Sequence, residues 1–137
     1  MTALTGERNT LFRDGSMLTL PVAAAKKLWA GGLAMRDASG NATPGATATG
    51  CLGIGRVEET ADNAAGQAGD KSVTVRFGVF RWANSGSTDA IGLADIGNDC
   101  YVVDDQTVAK TSGTNTRSVA GKVVDVDALG VWVRSGV

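Results

Sequence analysis

A chain of 137 residues with 13 Lys and Arg against 14 Asp and Glu carries a formal charge of −1. It therefore has no global positive field for phosphate backbones, and its basic residues are scattered rather than clustered. It contains no histidine, which removes the Ser-His-Asp and Cys-His arrangements of nucleophilic catalysis. The length suits a single domain.

Residues 1–16 are polar, with Thr and Arg and no apolar period. They read either as a frayed terminus or as an arm that orders only on a neighbour. Met17 to Val22 alternates as a first strand, which Pro21 confines to an edge or an end. Ala23 to Leu28 has the propensity for one helical turn, stopped by Gly31-Gly32. Leu33 to Arg36 and Asn41 to Pro44 form a hairpin turning at Ser39-Gly40. Cys51 to Glu58 is an apolar strand whose glycines permit close backbone approach. Glu59 to Asp70 is polar and rich in Gly and Ala, the clearest surface loop.

Lys71 to Trp82 is the longest strand candidate. Val73, Val75, Phe77 and Val79 share one face, and after Gly78 the apolar groups Phe80 and Trp82 take the other. That switch predicts a bulge or a strand covered on both faces. Thr88 to Gly97 predicts one helical turn, capped by Thr88 or Asp89. Tyr101–Val103, Thr107–Lys110, Arg117–Val126 and Val131–Arg134 follow as short strands. Tight connections at Asp104-Asp105 and at Asp127-Ala128-Leu129-Gly130 make two of the hairpins. No segment carries a 3.6-residue apolar stripe. The expected fold is all-β, a small barrel or sandwich with a meander-type C-terminal half. An extended N-terminal arm (1–16) precedes a single β domain (17–137).

Leu, Ile, Val and Phe together make only 30 of 137 residues, while glycine contributes 19. With net charge near zero, disorder is not favoured. Ala, Val and Gly bury less area per residue than Leu and Phe, so the core is thin and burial against other copies would add to it.

The chemistry-bearing motifs are sparse. Cys51 and Cys100 lack CxxC spacing, and zinc would lack ligands. A disulfide between them is one reading and two unrelated buried thiols the favoured one. Gly121-Lys122-Val123 lacks the hydroxyl and upstream glycine of a Walker A loop, since Thr116 stands where that glycine belongs. Gly50, Gly53 and Gly55 are not GxGxxG, since Glu58 takes the last position. Asp125-Val126-Asp127 begins like a calcium loop, but Leu129 and Gly136 replace ligands, so a hairpin turn is expected. Asp104-Asp105 reads as turn chemistry rather than an acid–base pair. Trp29, Trp82 and Trp132 read as core anchors in preference to a sugar platform. No catalytic residue, metal or cofactor is expected. The N-terminus has no apolar core of a signal peptide, and no stretch approaches the roughly 18 apolar residues of a spanning helix. Synthesis in a reducing cytoplasm is the expectation.

Leu28-Trp29-Ala30-Gly31-Gly32-Leu33, the Ser39-Gly40 hairpin and the Val73-to-Phe80 strand stand in a particular order. Ala94-Asp95-Ile96-Gly97 and Tyr101-Val102-Val103-Asp104-Asp105 follow them. In that order and spacing the chain resembles the tailed-phage capsid decoration, or cement, proteins that stabilise the head. The resemblance implies a structural virion protein without enzymatic activity, on the exterior of the capsid. Its partner would be the major capsid protein, and it would be a homotrimer binding neither nucleic acid nor membrane. The alternative is another virion part, such as a head–tail connector, tail or adhesion component. Within the arm, Leu4, Leu11 and Phe12 are spaced to dock on a neighbour, and Arg8, Arg13 and Asp14 would pair across that contact. A buried Leu or Phe contributes roughly 1.5–3 kcal/mol and an exposed ion pair about 0.2–1 kcal/mol. The apolar contacts should therefore dominate.

Overall fold

Short runs of Val, Thr and Ile separated by Gly, Asp and Asn favour strands of a few residues that must pair non-locally to bury anything. The computed structural model, which describes residues 2–11, 13 and 15–136, is built almost wholly that way. Twelve strands are present among the described residues: β1 (Met17–Pro21), β2 (Lys26–Leu28), β3 (Leu33–Arg36), β4 (Ala42–Pro44), β5 (Leu52–Val57), β6 (Ala61–Asn63), β7 (Ser72–Arg76), β8 (Gly78–Asn84), β9 (Asp99–Val102), β10 (Thr107–Ala109), β11 (Val119–Asp127) and β12 (Gly130–Ser135). The fold is all-β.

The strands form a five-stranded sheet in the order β1-β7-β5-β3-β4, a closed barrel in the order β10-β8-β12-β11-β9, and a β2-β6 ribbon. A ring of five strands cannot alternate direction all the way round. One pair must be parallel, and it is β8 with β10, Thr107 opposite Ala83. The remaining barrel pairs are antiparallel. The hairpins at Asp104-Asp105 and Asp127–Gly130 both form, joining β9 to β10 and β11 to β12. So does the β3–β4 hairpin, where the Asp37 carboxylate accepts from the Ser39 and Asn41 amides and Gly40 takes φ +86°.

Two cores result. Trp82, Cys100, Val102, Val108, Val123, Val131 and Val133 fill the barrel, and Val22, Leu28, Ile54, Val57, Val73 and Val75 fill the space over the sheet. β3 belongs to both, because alternate residues of a strand point to opposite faces. Leu33 and Met35 enter the barrel core, whereas Ala34 enters the other.

Four local expectations are corrected. Residues 23–28 form a turn and strand β2 instead of a helical turn, with Lys26 opposite Asn63 and Leu28 opposite Ala61. The partner strand and the full burial of Leu28 outweigh the helix propensity of Ala and Lys. That partner lies inside Glu59–Asp70, so this segment is not only a surface loop; Ala61 and Asn63 are buried in it. The run from Lys71 to Trp82 is two strands, broken at Phe77-Gly78, with β7 in the sheet and β8 in the barrel. Thr88–Gly97 holds two 3₁₀ turns, Ser87–Asp89 and Leu93–Asp95, preceded by Gly86 and Gly92. The cap is the Asp95 carboxylate, which accepts from the Gly92 amide at 2.8 Å; Thr88 and Asp89 lie within the first turn.

Candidate functional site

Leu4 is 72% and Leu11 86% exposed, and Arg8 and Arg13 are exposed as well. Phe12 and Asp14 lie outside the described residues. Residues 2–11 form no strand or helix. The structure does not gather Leu4, Arg8, Leu11 and Arg13 into one site, but it places Arg13 on the rim of an apolar groove of about 300 Å³.

That groove lies where the covered face of the sheet runs out towards the arm. Leu18 of β1 and Leu52 and Ile54 of β5 line it, together with Phe77 at the break between β7 and β8. Ile54 is 6% exposed and Leu52 40%, so the groove grades from core to solvent. Gly136 closes one side; a β-carbon there would lie 2.6 Å from the Phe77 ring. Arg13 and Arg36 supply the rim charges.

A second surface was not foreseen from the sequence. Phe80, Arg81 and Trp82 of β8, Trp132 of β12, Arg56 of β5 and Gly31 line an open cleft of about 430 Å³. Through Gly31 it adjoins a smaller hollow lined by Trp29, Gly32, Asp105 and Gln106. The core-anchor reading holds for Trp82, which is 6% exposed. It fails for Trp29, 57% exposed, and for the half-buried Trp132. The reason is local: Gly31 takes φ +84° and donates to the Val57 carbonyl, and Gly32 donates to that of Trp29. This turn carries Trp29 outward, and the Lys27 ammonium covers its ring at 3.7 Å from the centroid. Composition alone could not reveal the cleft, because its residues come from separate strands and meet only after barrel closure.

Each cation in the cleft has both an aromatic and an acidic neighbour. The Arg56 guanidinium stands 4.8 Å from the Phe80 ring centroid and donates to Glu58 Oε1 at 2.8 Å. Arg81 lies over the Trp132 ring at 5.5 Å and 3.9 Å from Asp127. Hydrogen bonds from Arg56, then the charges of Arg56 and Arg76, hold the Glu58 carboxyl below its usual range. The Asp127 carboxyl is lowered first by the Trp132 indole N–H, then by the Leu129 amide and the nearby Arg81. Those contacts make Asp127 a turn-forming residue, as its position in the hairpin suggested. The Asp104 carboxylate likewise accepts from the Gln106 amide within its turn.

The chemistry of the other polar groups is structural. Thr111 Oγ1 and Arg117 Nη1 both donate to Asp89, whose carboxyl they hold below its usual range, the threonine more strongly. Cys51 and Cys100 are free, and only Cys100 is fully buried. Burial, reinforced by Asp99, pushes the Cys100 thiol up to about 12, so it stays protonated and unreactive at neutral pH. Lys122, in the Gly121-Lys122-Val123 run, sits in mid-strand and pairs with Asp99 at 2.7 Å. Among the described residues no three His, Cys, Asp or Glu converge as a metal site. Compared with protein-family models, curated proteins and solved structures, the chain gives no significant match.

Proposed function

We propose that this chain is a structural virion protein, a capsid decoration or cement protein that binds the outer surface of the major capsid shell and stabilises it as a homotrimer. The observation that carries the reading is the exposed arm, with Leu11 86% solvent-accessible, leading into edge strand β1 of a β domain that also contains a closed barrel. A cement protein needs no reactive group; it needs a rigid body and contacts to several subunits at once. Multivalent seating lets weak contacts sum, because later contacts form at high effective concentration. The ordered run of motifs resembling the decoration proteins supports the same reading.

The test is binding of full-length and truncated protein to capsids that lack it. Deletion of residues 1–14 should leave the β domain folded and lower both shell occupancy and the heat resistance of the particle. Equal occupancy by the two forms would show the arm to be an ordinary frayed terminus. The exposed Trp29 favours a second reading, an adhesion component. Micrographs of virions labelled with antibody to this protein separate the two: label spread over the head supports cement, label confined to the tail an adhesin.

A further inference from the structure

Of the three tryptophans only Trp82 is buried; Trp29 is 57% exposed and Trp132 half-buried. Trp132 lines the open cleft of about 430 Å³, Trp29 lines the hollow of about 210 Å³, and Gly31 is common to both. We infer that this joined cleft binds a neutral oligosaccharide, with the Trp29 indole as the stacking face and Arg81, Asp105 and Gln106 as the hydrogen-bonding groups.

The polar lining has unused hydrogen-bonding capacity. Asp105 is half-buried and Gln106 exposed, and among the described residues neither side chain makes a hydrogen bond or an ion pair. Their backbones are nonetheless fixed, since the Asp105 carbonyl accepts from the Leu33 amide and the Gln106 carbonyl from the Ala83 amide, each at 2.8 Å. The Arg81 guanidinium stands 3.9 Å from Asp127, beyond hydrogen-bond reach. Donors and acceptors therefore lie in one cleft, which suits hydroxyl groups, because a hydroxyl does both. Charge argues against an anionic ligand. Arg56 and Arg81 stand beside Glu58 and Asp127, and Asp105 adds a third carboxylate, so the cleft has no excess of positive charge. The depression is open and continues past Gly31, so an extended chain can lie along it. Trp29 supplies the apolar platform: Lys27 covers its ring at 3.7 Å, yet more than half of the residue remains in solvent. A pyranose ring presents a face of C–H groups that packs on the negative face of an indole, while its hydroxyls reach outward to polar neighbours.

The inference does not rest on the cement reading, and the free protein tests it. Short linear oligosaccharides of glucose, galactose, mannose and N-acetylglucosamine are titrated by calorimetry, with a heparin fragment as the anionic comparison. Saturable binding of at least one neutral oligosaccharide is expected. It should be unchanged between about 0.05 and 0.5 M salt, because no ion pair with the ligand forms. Trp29→Ala should weaken it about tenfold, and Gln106→Ala should weaken it as well. Both side chains are exposed, so neither substitution acts by emptying the core. No binding by any of the neutral oligosaccharides, binding that Trp29→Ala leaves unchanged, or binding confined to the heparin fragment and lost at high salt would each overturn the inference. None of these outcomes touches shell attachment, which the capsid-binding experiment reads separately.

Discussion

Gly53 of β5 abuts the backbone of Ala120 in β11 so closely that a β-carbon on Gly53 would stand 2.5 Å from the Ala120 carbonyl oxygen. The sheet and the barrel meet at that point, and only a residue without a side chain lets them do so. Two residues later in the same strand, Gly55 (φ +144°) presses against the Arg76 carbonyl. The close backbone approach expected of this glycine-rich strand is therefore present.

Gly53→Ala should destabilise the protein by about 1–3 kcal/mol, the usual cost of overpacking a site whose neighbours are backbone and cannot swing aside. Urea unfolding would read this as a lower midpoint at unchanged slope. An unchanged midpoint would mean that sheet and barrel are not rigidly coupled through this contact.

Asp127 ties the tip of the β11–β12 hairpin together. Its carboxylate accepts from the Trp132 indole at 2.8 Å, the Leu129 amide at 2.8 Å and the Gly130 amide at 3.0 Å. Its pKa is depressed below the ordinary 3.8, so the stability it contributes is complete above that value and is lost as pH falls through the lower, folded-state value. Glu58 and Asp89 act in the same sense. Tryptophan emission should therefore hold steady until the pH drops below about 4 and then change, and Asp127→Asn should remove part of that transition. With no histidine in the chain, no step should occur between about pH 5 and 8.

The three tryptophans should separate sharply in mutation. Trp82→Ala empties a packed barrel and is expected to cost about 3–5 kcal/mol. Trp29→Ala removes an exposed ring and one cation–π contact, which should cost no more than about 1 kcal/mol. Thermal unfolding of the two variants checks this; equal losses would mean that Trp29 is structural after all.

Those tryptophans also show what the sequence could convey. The alternation of Val73 and Val75, the Asp37–Asn41 hairpin and the two later hairpins were legible because each rests on neighbours a few residues apart. The sheet change at Phe77-Gly78 was not. Alternation continues through Val79 along the chain, and only the φ of +150° at Gly78 lets the strand leave one sheet for another. Val79 ends 38% exposed while Val75 is fully buried, a difference set by what covers each sheet. The cleft was hidden for the same reason, being assembled from β5, β8, β12 and the Gly31 turn. In the arm, Leu11 is exposed, and the groove beside Arg13 was invisible in the sequence because its lining comes from segments far apart along the chain.

Asn63 argues the point from the other side, since a polar loop concealed a buried latch. It is 2% exposed on β6, and its side-chain amide donates to the Ala23 carbonyl at 3.1 Å and the Gln67 carbonyl at 2.9 Å, with Val22 at 3.4 Å. Those bonds fasten the turn before β2 and the loop after β6 to one another, and Gly66 packs against the Asn63 side chain too tightly for a β-carbon. Asn63→Leu would retain the volume and leave these carbonyls without their donor, at about 1–3 kcal/mol for the unsatisfied buried groups. Asn63→Asp would replace the donating amide with an acceptor facing acceptors, and should be worse at neutral pH and partly relieved in acid, where the carboxyl can donate. Hydrogen exchange should show the amides of Ala25 and Gly69, which bond to the Gly66 and Val22 carbonyls, losing protection first. Protection unchanged in Asn63→Leu would show that the β2–β6 ribbon is held by Leu28 and Ala61 alone.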